Sequence, residues 1–166
     1  NTVTPRAELI RVASPFAALY LYEAVEKIGM ADEILKTIYR DYLPMLRLGS
    51  TTVWETFPAA LNTGEFPTRS HCHGWSAAPL YFLPRLVLGI LPAAPGAMKF
   101  RISPRITGLE FASGARPTIH GRVEAGWERK GNELFITARA PAGVELEYLE
   151  NDTHTDLQVY FNGKPV

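Results

Sequence analysis

With a single cysteine, Cys72, the chain of 166 residues has no intrachain disulfide, which excludes a small secreted domain stapled by bridges. Net charge is missing as well. Seventeen basic residues balance seventeen acidic ones, with eight of each sign before Ile90 and nine of each after it. Neither half carries the basic field that nucleic acid or an anionic membrane selects, so neither is expected as a partner. No apolar run approaches the roughly 20 residues that cross a bilayer, and Asn1-Thr2-Val3-Thr4-Pro5 has neither a basic nor a hydrophobic signal region. An initiator methionine is also absent, which is compatible with a processed chain or a piece of a longer one. The compartment stays open.

What is present suffices for a core: 46% of the residues are hydrophobic, enough for one ordinary domain or two small ones. Ala7 to Val12 have the composition of a short helical turn. From Ser14 the helix signals are strong: Ser14 caps, Pro15 suits the first helical position, and Phe16, Leu19, Tyr20, Val25 and Ile28 recur at near-helical spacing until Gly29. A helix over about 15–28 follows. Asp32 then caps a second helix whose apolar side holds Ile34, Leu35, Ile38, Tyr39, Tyr42, Leu43 and Leu46, with Pro44 kinking it near its end. So short a break makes the two an αα-hairpin. The run from Trp75 to Ile90 reads as a third, buried helix starting near Ser76, with Pro79 in its first turn and Pro84 kinking or dividing it.

Texture changes at Leu91-Pro92-Ala93-Ala94-Pro95-Gly96. Beyond it the apolar residues alternate: Phe100 and Ile102; Leu109 and Phe111; Val123, Ala125 and Trp127; Leu134, Ile136 and Ala138; Val144, Leu146 and Tyr148; Leu157, Val159 and Phe161. Turn residues separate these runs, so about six short antiparallel strands in a small sandwich are expected. Helices first and strands afterwards argue for an α+β chain of two units, 1–92 and 93–166, rather than a parallel α/β sheet. Two or three helices with wide apolar faces do not bury those faces alone. Either the sandwich covers them, or the chain self-associates, or further helices complete the domain.

Between the helical patterns, 49–75 concentrates the chemistry. It holds Ser50-Thr51-Thr52-Val53-Trp54-Glu55, an irregular segment from Pro58 to Ser70, then Ser70-His71-Cys72-His73-Gly74-Trp75. In an extended chain Glu55 and Val53 point to one side and Trp54 and Thr52 to the other. Glu55 then reads either as a carboxylate at a cavity rim, able to act as general base on water or to bind a sugar hydroxyl, or as a solvated glutamate after a packed tryptophan. His71-Cys72-His73 offers zinc-type ligands, but a structural site needs four at compatible spacing, and only the distant His120 and His154 add imidazole. No metal or cofactor is expected. The histidines read better as hydrogen-bonding groups, and Trp75 either stacks on a sugar face or begins the core of the third helix.

The run SPF ahead of a helix, then DYLPMLRLGSTTVWETF, then SHCHGWSAAPLYFLPRLVLGI, resembles the C-terminal part of the catalytic domain of bacterial α-L-rhamnosidases and their relatives among six-hairpin glycosidases. PTIHGRVEAGWERKGNELFITARAPAG is similar to the β-sandwich that follows that barrel in the same family. The resemblance implies a partial α/α barrel ahead of the sandwich and an inverting hydrolysis of terminal α-L-rhamnosyl linkages. It implies that Glu55, in the TTxWE motif, is the general base and that His73, ahead of Arg85, lies in the sugar pocket, with Trp54 and Trp75 as walls. The partner implied is an L-rhamnose-containing glycan or glycoside. An inverting glycosidase also needs a carboxylic acid opposite the base, and nothing in residues 1–48 resembles the family's acidic motif. The isolated chain is therefore expected to be inactive; the alternative is a noncatalytic carbohydrate-binding or assembly module derived from such an enzyme.

Overall fold

The computed structural model describes residues 12, 14–58, 68–106 and 108–166, and the chain divides into two units, Asn1–Pro79 and Leu80–Val166. In the first unit α1 spans Pro15–Lys27 and α2 spans Ala31–Arg47. Ser14 caps α1 as expected: its hydroxyl accepts the Phe16 N–H at 3.3 Å, and Pro15 takes the first helical position, where no N–H is needed. The expected cap on α2 is corrected. That helix begins one residue before Asp32, behind Met30, which makes no side-chain cap. Asp32 and Glu33 instead lie in the first turn, where their charge favours the positive end of the helix dipole. The expected turn over 7–12 falls outside the described residues except for Val12.

The hairpin is held by a stripe of small and aromatic groups, Ala18 and Tyr22 on α1 and Ala31, Ile34, Ile38, Tyr42 and Met45 on α2, all buried. Tyr20, Ile28, Tyr39, Leu46 and Leu48 keep more than half of their surface exposed. α2 runs through Pro44 and closes in a Schellman motif: Gly49, at φ +78°, gives its N–H to Leu46, and Ser50 gives its own to Met45, both at 3.0 Å. A residue with a side chain would be strained at that φ, so Gly49 both ends the helix and aims the chain into 50–58.

The apolar run after Trp75 is not one buried helix. A 3-10 turn at Gly74–Ser76 precedes α3, Ala78–Leu86, and Leu80, Tyr81 and Leu83 of α3 are exposed. Pro79 does fall in the first turn. The helix stops before Gly89, and Ile90, expected inside it, starts a strand.

Among the described residues the second unit has eight strands rather than six: β1 Ile90–Pro92, β2 Lys99–Ile102, β3 Phe111–Thr118, β4 Gly121–Lys130, β5 Glu133–Arg139, β6 Glu145–Tyr148, β7 Gln158–Phe161 and β8 Lys164–Pro165. They form a three-stranded sheet, β1-β2-β6, and a five-stranded sheet, β3-β4-β5-β7-β8. Period-two alternation is clearest in β4 and β5, where Val123, Ala125, Trp127, Leu134, Ile136 and Ala138 turn inward and meet Leu88, Ile90, Phe100, Ile102 and Val159 in one core. Two pairings, β2 with β6 and β5 with β7, are parallel. The chain leaves the larger sheet after β5, contributes β6 to the smaller one, and returns as β7 beside β5. Alternation records which face a residue takes and carries no record of strand direction, so an all-antiparallel expectation misses this. Among the described residues no helix is long and apolar enough to cross a membrane.

Candidate functional site

Two segments of the first unit are bound to each other by their backbones. His73 gives its N–H to the Val53 carbonyl at 2.9 Å, and Glu55 gives its N–H to the Ser70 carbonyl at 3.0 Å. The Thr52 hydroxyl donates to the His71 carbonyl. These bonds bring the WE dipeptide alongside the SHCH run, so four residues singled out from sequence, Trp54, Glu55, His73 and Trp75, lie in one loop cluster.

Their environments differ. Trp54 is 4% exposed and packs edge-on against the His71 ring, with centroids 4.9 Å apart. It is a support behind the loop, in line with the alternation that points it away from Glu55 and Val53. Glu55 is half-buried. Its carbonyl accepts from the Ser14 hydroxyl at 3.5 Å, which ties the cap of α1 to the loop. Trp75 is 70% exposed and rests on Phe16 of α1, centroids 4.9 Å apart, with His73 edge-on at 6.0 Å. The expectation that Trp75 begins a helix core is corrected: it lies exposed in the 3-10 turn ahead of α3.

Below the loop, Tyr42 of α2 packs edge-on against Phe57 at 5.1 Å and donates its hydroxyl to the Ser76 carbonyl at 3.0 Å. Burial raises the Tyr42 hydroxyl well above the usual phenol range, so it stays protonated and keeps donating. His71 and His73 thus divide their roles by position: His71 faces Trp54 and His73 faces Trp75. Among the described residues no group of three His, Cys, Asp or Glu side chains is gathered closely enough to hold a metal ion. The two distant imidazoles have other partners. His120 Nε2 meets the Gly96 carbonyl at 2.8 Å, and His154 is buried in the second unit.

Sequence reading missed Thr56 and Thr68. Both are buried, and their hydroxyls bond each other at 3.1 Å beside Glu55. A threonine hydroxyl paired across twelve positions leaves no periodicity to find.

Comparison with known proteins also divides the chain in two, but at residue 88 rather than after Pro79. Residues 11–87 match the bacterial alpha-L-rhamnosidase 6 hairpin glycosidase domain, and residues 89–160 match the bacterial alpha-L-rhamnosidase C-terminal domain. An alpha-L-rhamnosidase of Alteromonas sp. (strain LOR) is 24% identical over 138 residues, which is 78% of this chain and 15% of the relative. The crystal structure of a GH78 family rhamnosidase of Bacillus sp. GL1 superposes with a TM-score of 0.83 at 32% identity, covering 95% of this chain and 17% of that one. The alpha-L-rhamnosidase of Dictyoglumus thermophilum shares the fold, with a TM-score of 0.66 at 23% identity over 81% of this chain and 15% of its own. The chain thus spans 15 to 17% of the length of these relatives.

Proposed function

The chain belongs to the bacterial α-L-rhamnosidase family, and from that premise we propose that it supplies the base-bearing side of an inverting glycoside hydrolase that cleaves terminal α-L-rhamnosyl linkages. Glu55 activates the attacking water, His73 contacts the sugar, and Trp75 presents an aromatic face to it. Trp54 backs the loop. The observation that carries this is the backbone pairing of 53–55 with 70–73, which brings the TTxWE and SHCH segments side by side.

An inverting hydrolysis needs room for water between base and acid, about 6.5–9.5 Å between the two carboxyl groups. Two of the acidic residues of the helical hairpin are already engaged in ion pairs. Glu33 is paired with Lys36 and Asp41 with Arg40, each at 2.6 Å. The protonating acid then comes from the part of the family architecture that precedes this segment. An exposed Trp75 beside His73 would equally serve a binding module without hydrolysis, and the base assignment separates the two. In an enzyme that carries this chain together with the acid-bearing part, Glu55→Gln is expected to lower turnover of an aryl α-L-rhamnoside by about 10²-fold or more while rhamnose binding persists. Unchanged turnover would overturn the assignment.

A further inference from the structure

We propose that Thr68 is a positioning residue for the base: its hydroxyl locks the backbone on which the Glu55 carboxylate is carried. The inference rests on Glu55 being the base.

A threonine hydroxyl has one proton to give and two lone pairs to receive, and Thr68 uses all three. Its Oγ1 accepts the Thr56 N–H at 3.2 Å and the Thr56 hydroxyl at 3.1 Å, and it donates to the Ser70 carbonyl at 3.2 Å. That same carbonyl accepts the Glu55 N–H at 3.0 Å. Two consecutive amides, those of Glu55 and Thr56, are therefore both held by 68–70. In a regular strand successive N–H groups point to opposite sides, and here the chain bends at 55–56, so one partner segment reaches both. Ser14 holds the intervening Glu55 carbonyl from the far side. The Glu55 N–H, the Glu55 carbonyl and the Thr56 N–H are thereby all bound, while among the described residues the Glu55 carboxylate makes no ion pair.

Burial gives the arrangement its stringency. Thr56 and Thr68 are both buried, so without the Thr68 hydroxyl the Thr56 N–H and O–H lose their partner where water does not readily replace it. The peptide would move to find another acceptor, and a base displaced by about 1 Å can cost about 10²-fold in rate. Valine has nearly the shape of threonine and none of the three bonds; serine keeps all three.

The test compares Thr68→Val, Thr68→Ser and Glu55→Gln in an enzyme carrying this chain and the acid-bearing part. Turnover is expressed per rhamnose-binding site counted by titration calorimetry, so that loss of folded protein is not mistaken for loss of rate. Thr68→Val is expected to lower kcat about 10- to 100-fold with KM nearly unchanged, and Thr68→Ser to retain most of the parent kcat. Full kcat per site in Thr68→Val, or equal impairment of both Thr68 variants, would overturn the positioning role alone. Full turnover in Glu55→Gln would overturn the base assignment itself.

Discussion

At the scale of single residues, the histidines show how far type and spacing mislead. His154 reads in sequence as a distant imidazole; in the fold it is a buried fastener of the second unit. Its Nε2 lies 2.6 Å from the Pro104 carbonyl, so that nitrogen carries the proton, and Nδ1 then accepts from the Tyr148 hydroxyl at 2.8 Å. Asn151 closes the cluster by donating to the Ser103 hydroxyl and the Pro104 carbonyl, each at 3.0 Å. Burial pushes the imidazole below its ordinary 6.5, against the Pro104 carbonyl and the carboxylates of Glu150 and Asp152, which favour the charged form; Arg105 nearby adds to the lowering. The unfolded chain therefore binds this proton more readily than the folded one. The stability contributed is fully present above about pH 6.5 and declines as pH falls toward the lower folded value. Urea midpoints are expected to drop between pH 7.5 and pH 5.5, and His154→Gln to flatten that dependence. An equally steep slope in the variant would assign the loss to other groups.

At the scale of elements, the stretch after α3 turns on one close approach. Gly89 sits at φ +67°, and a Cβ there would lie 2.1 Å from both the Pro104 nitrogen and the Ser103 carbonyl carbon. Its own carbonyl accepts the Ser103 N–H at 2.9 Å, extending the β1 and β2 pairing by one step. Backbone atoms on both sides leave nothing flexible to give way. Gly89→Ala is expected to cost about 3 kcal/mol or more, read as a lower denaturant midpoint with an unchanged m-value; a cost below about 1 kcal/mol would mean that 103–104 can retreat. Trp127 secures the same corner by donating its indole N–H to the Val87 carbonyl at 2.8 Å. These contacts explain why the apolar run from Trp75 does not continue as helix to Ile90. Leu83 and Leu86 follow helical spacing, but Gly89 permits the reversal and Ile90 completes a sheet. Hydrophobicity alone does not separate those outcomes, because a buried strand and a buried helix are equally apolar.

For the whole molecule, the two units carry unequal shares of the proposed chemistry. The second has its own core of Leu88, Ile90, Phe100, Ile102, Trp127, Leu134 and Ile136, and no residue of the proposed site. The first holds Glu55, His73 and Trp75, and its hairpin leaves Ile28, Tyr39, Leu46 and Leu48 largely exposed. An αα-hairpin of this kind is one element of a barrel whose other members would cover such faces. With the protonating acid proposed to lie outside this chain, the chain by itself is expected to release no measurable aglycone from an aryl α-L-rhamnoside. Release at a rate that scales with protein concentration and vanishes in Glu55→Gln would show that it assembles a complete site.

Much was legible without coordinates. The cap and proline that start α1, the helices-then-strands order and the inward rows of β4 and β5 all follow from local chemistry or from period, which a linear text preserves. So does the family resemblance, carried by TTVWE and SHCHGW in their order. Tertiary structure decided what depends on partners far away in the chain: the parallel pairings of β6 and β7, the reversal at Gly89, the burial of Trp54 against the exposure of Trp75, and the hydroxyl of Thr68 under Glu55. A hydrogen bond between residues twelve positions apart, or a glycine facing another strand's backbone, costs or stabilises only when the fold brings the two together, and no residue type announces that meeting in advance.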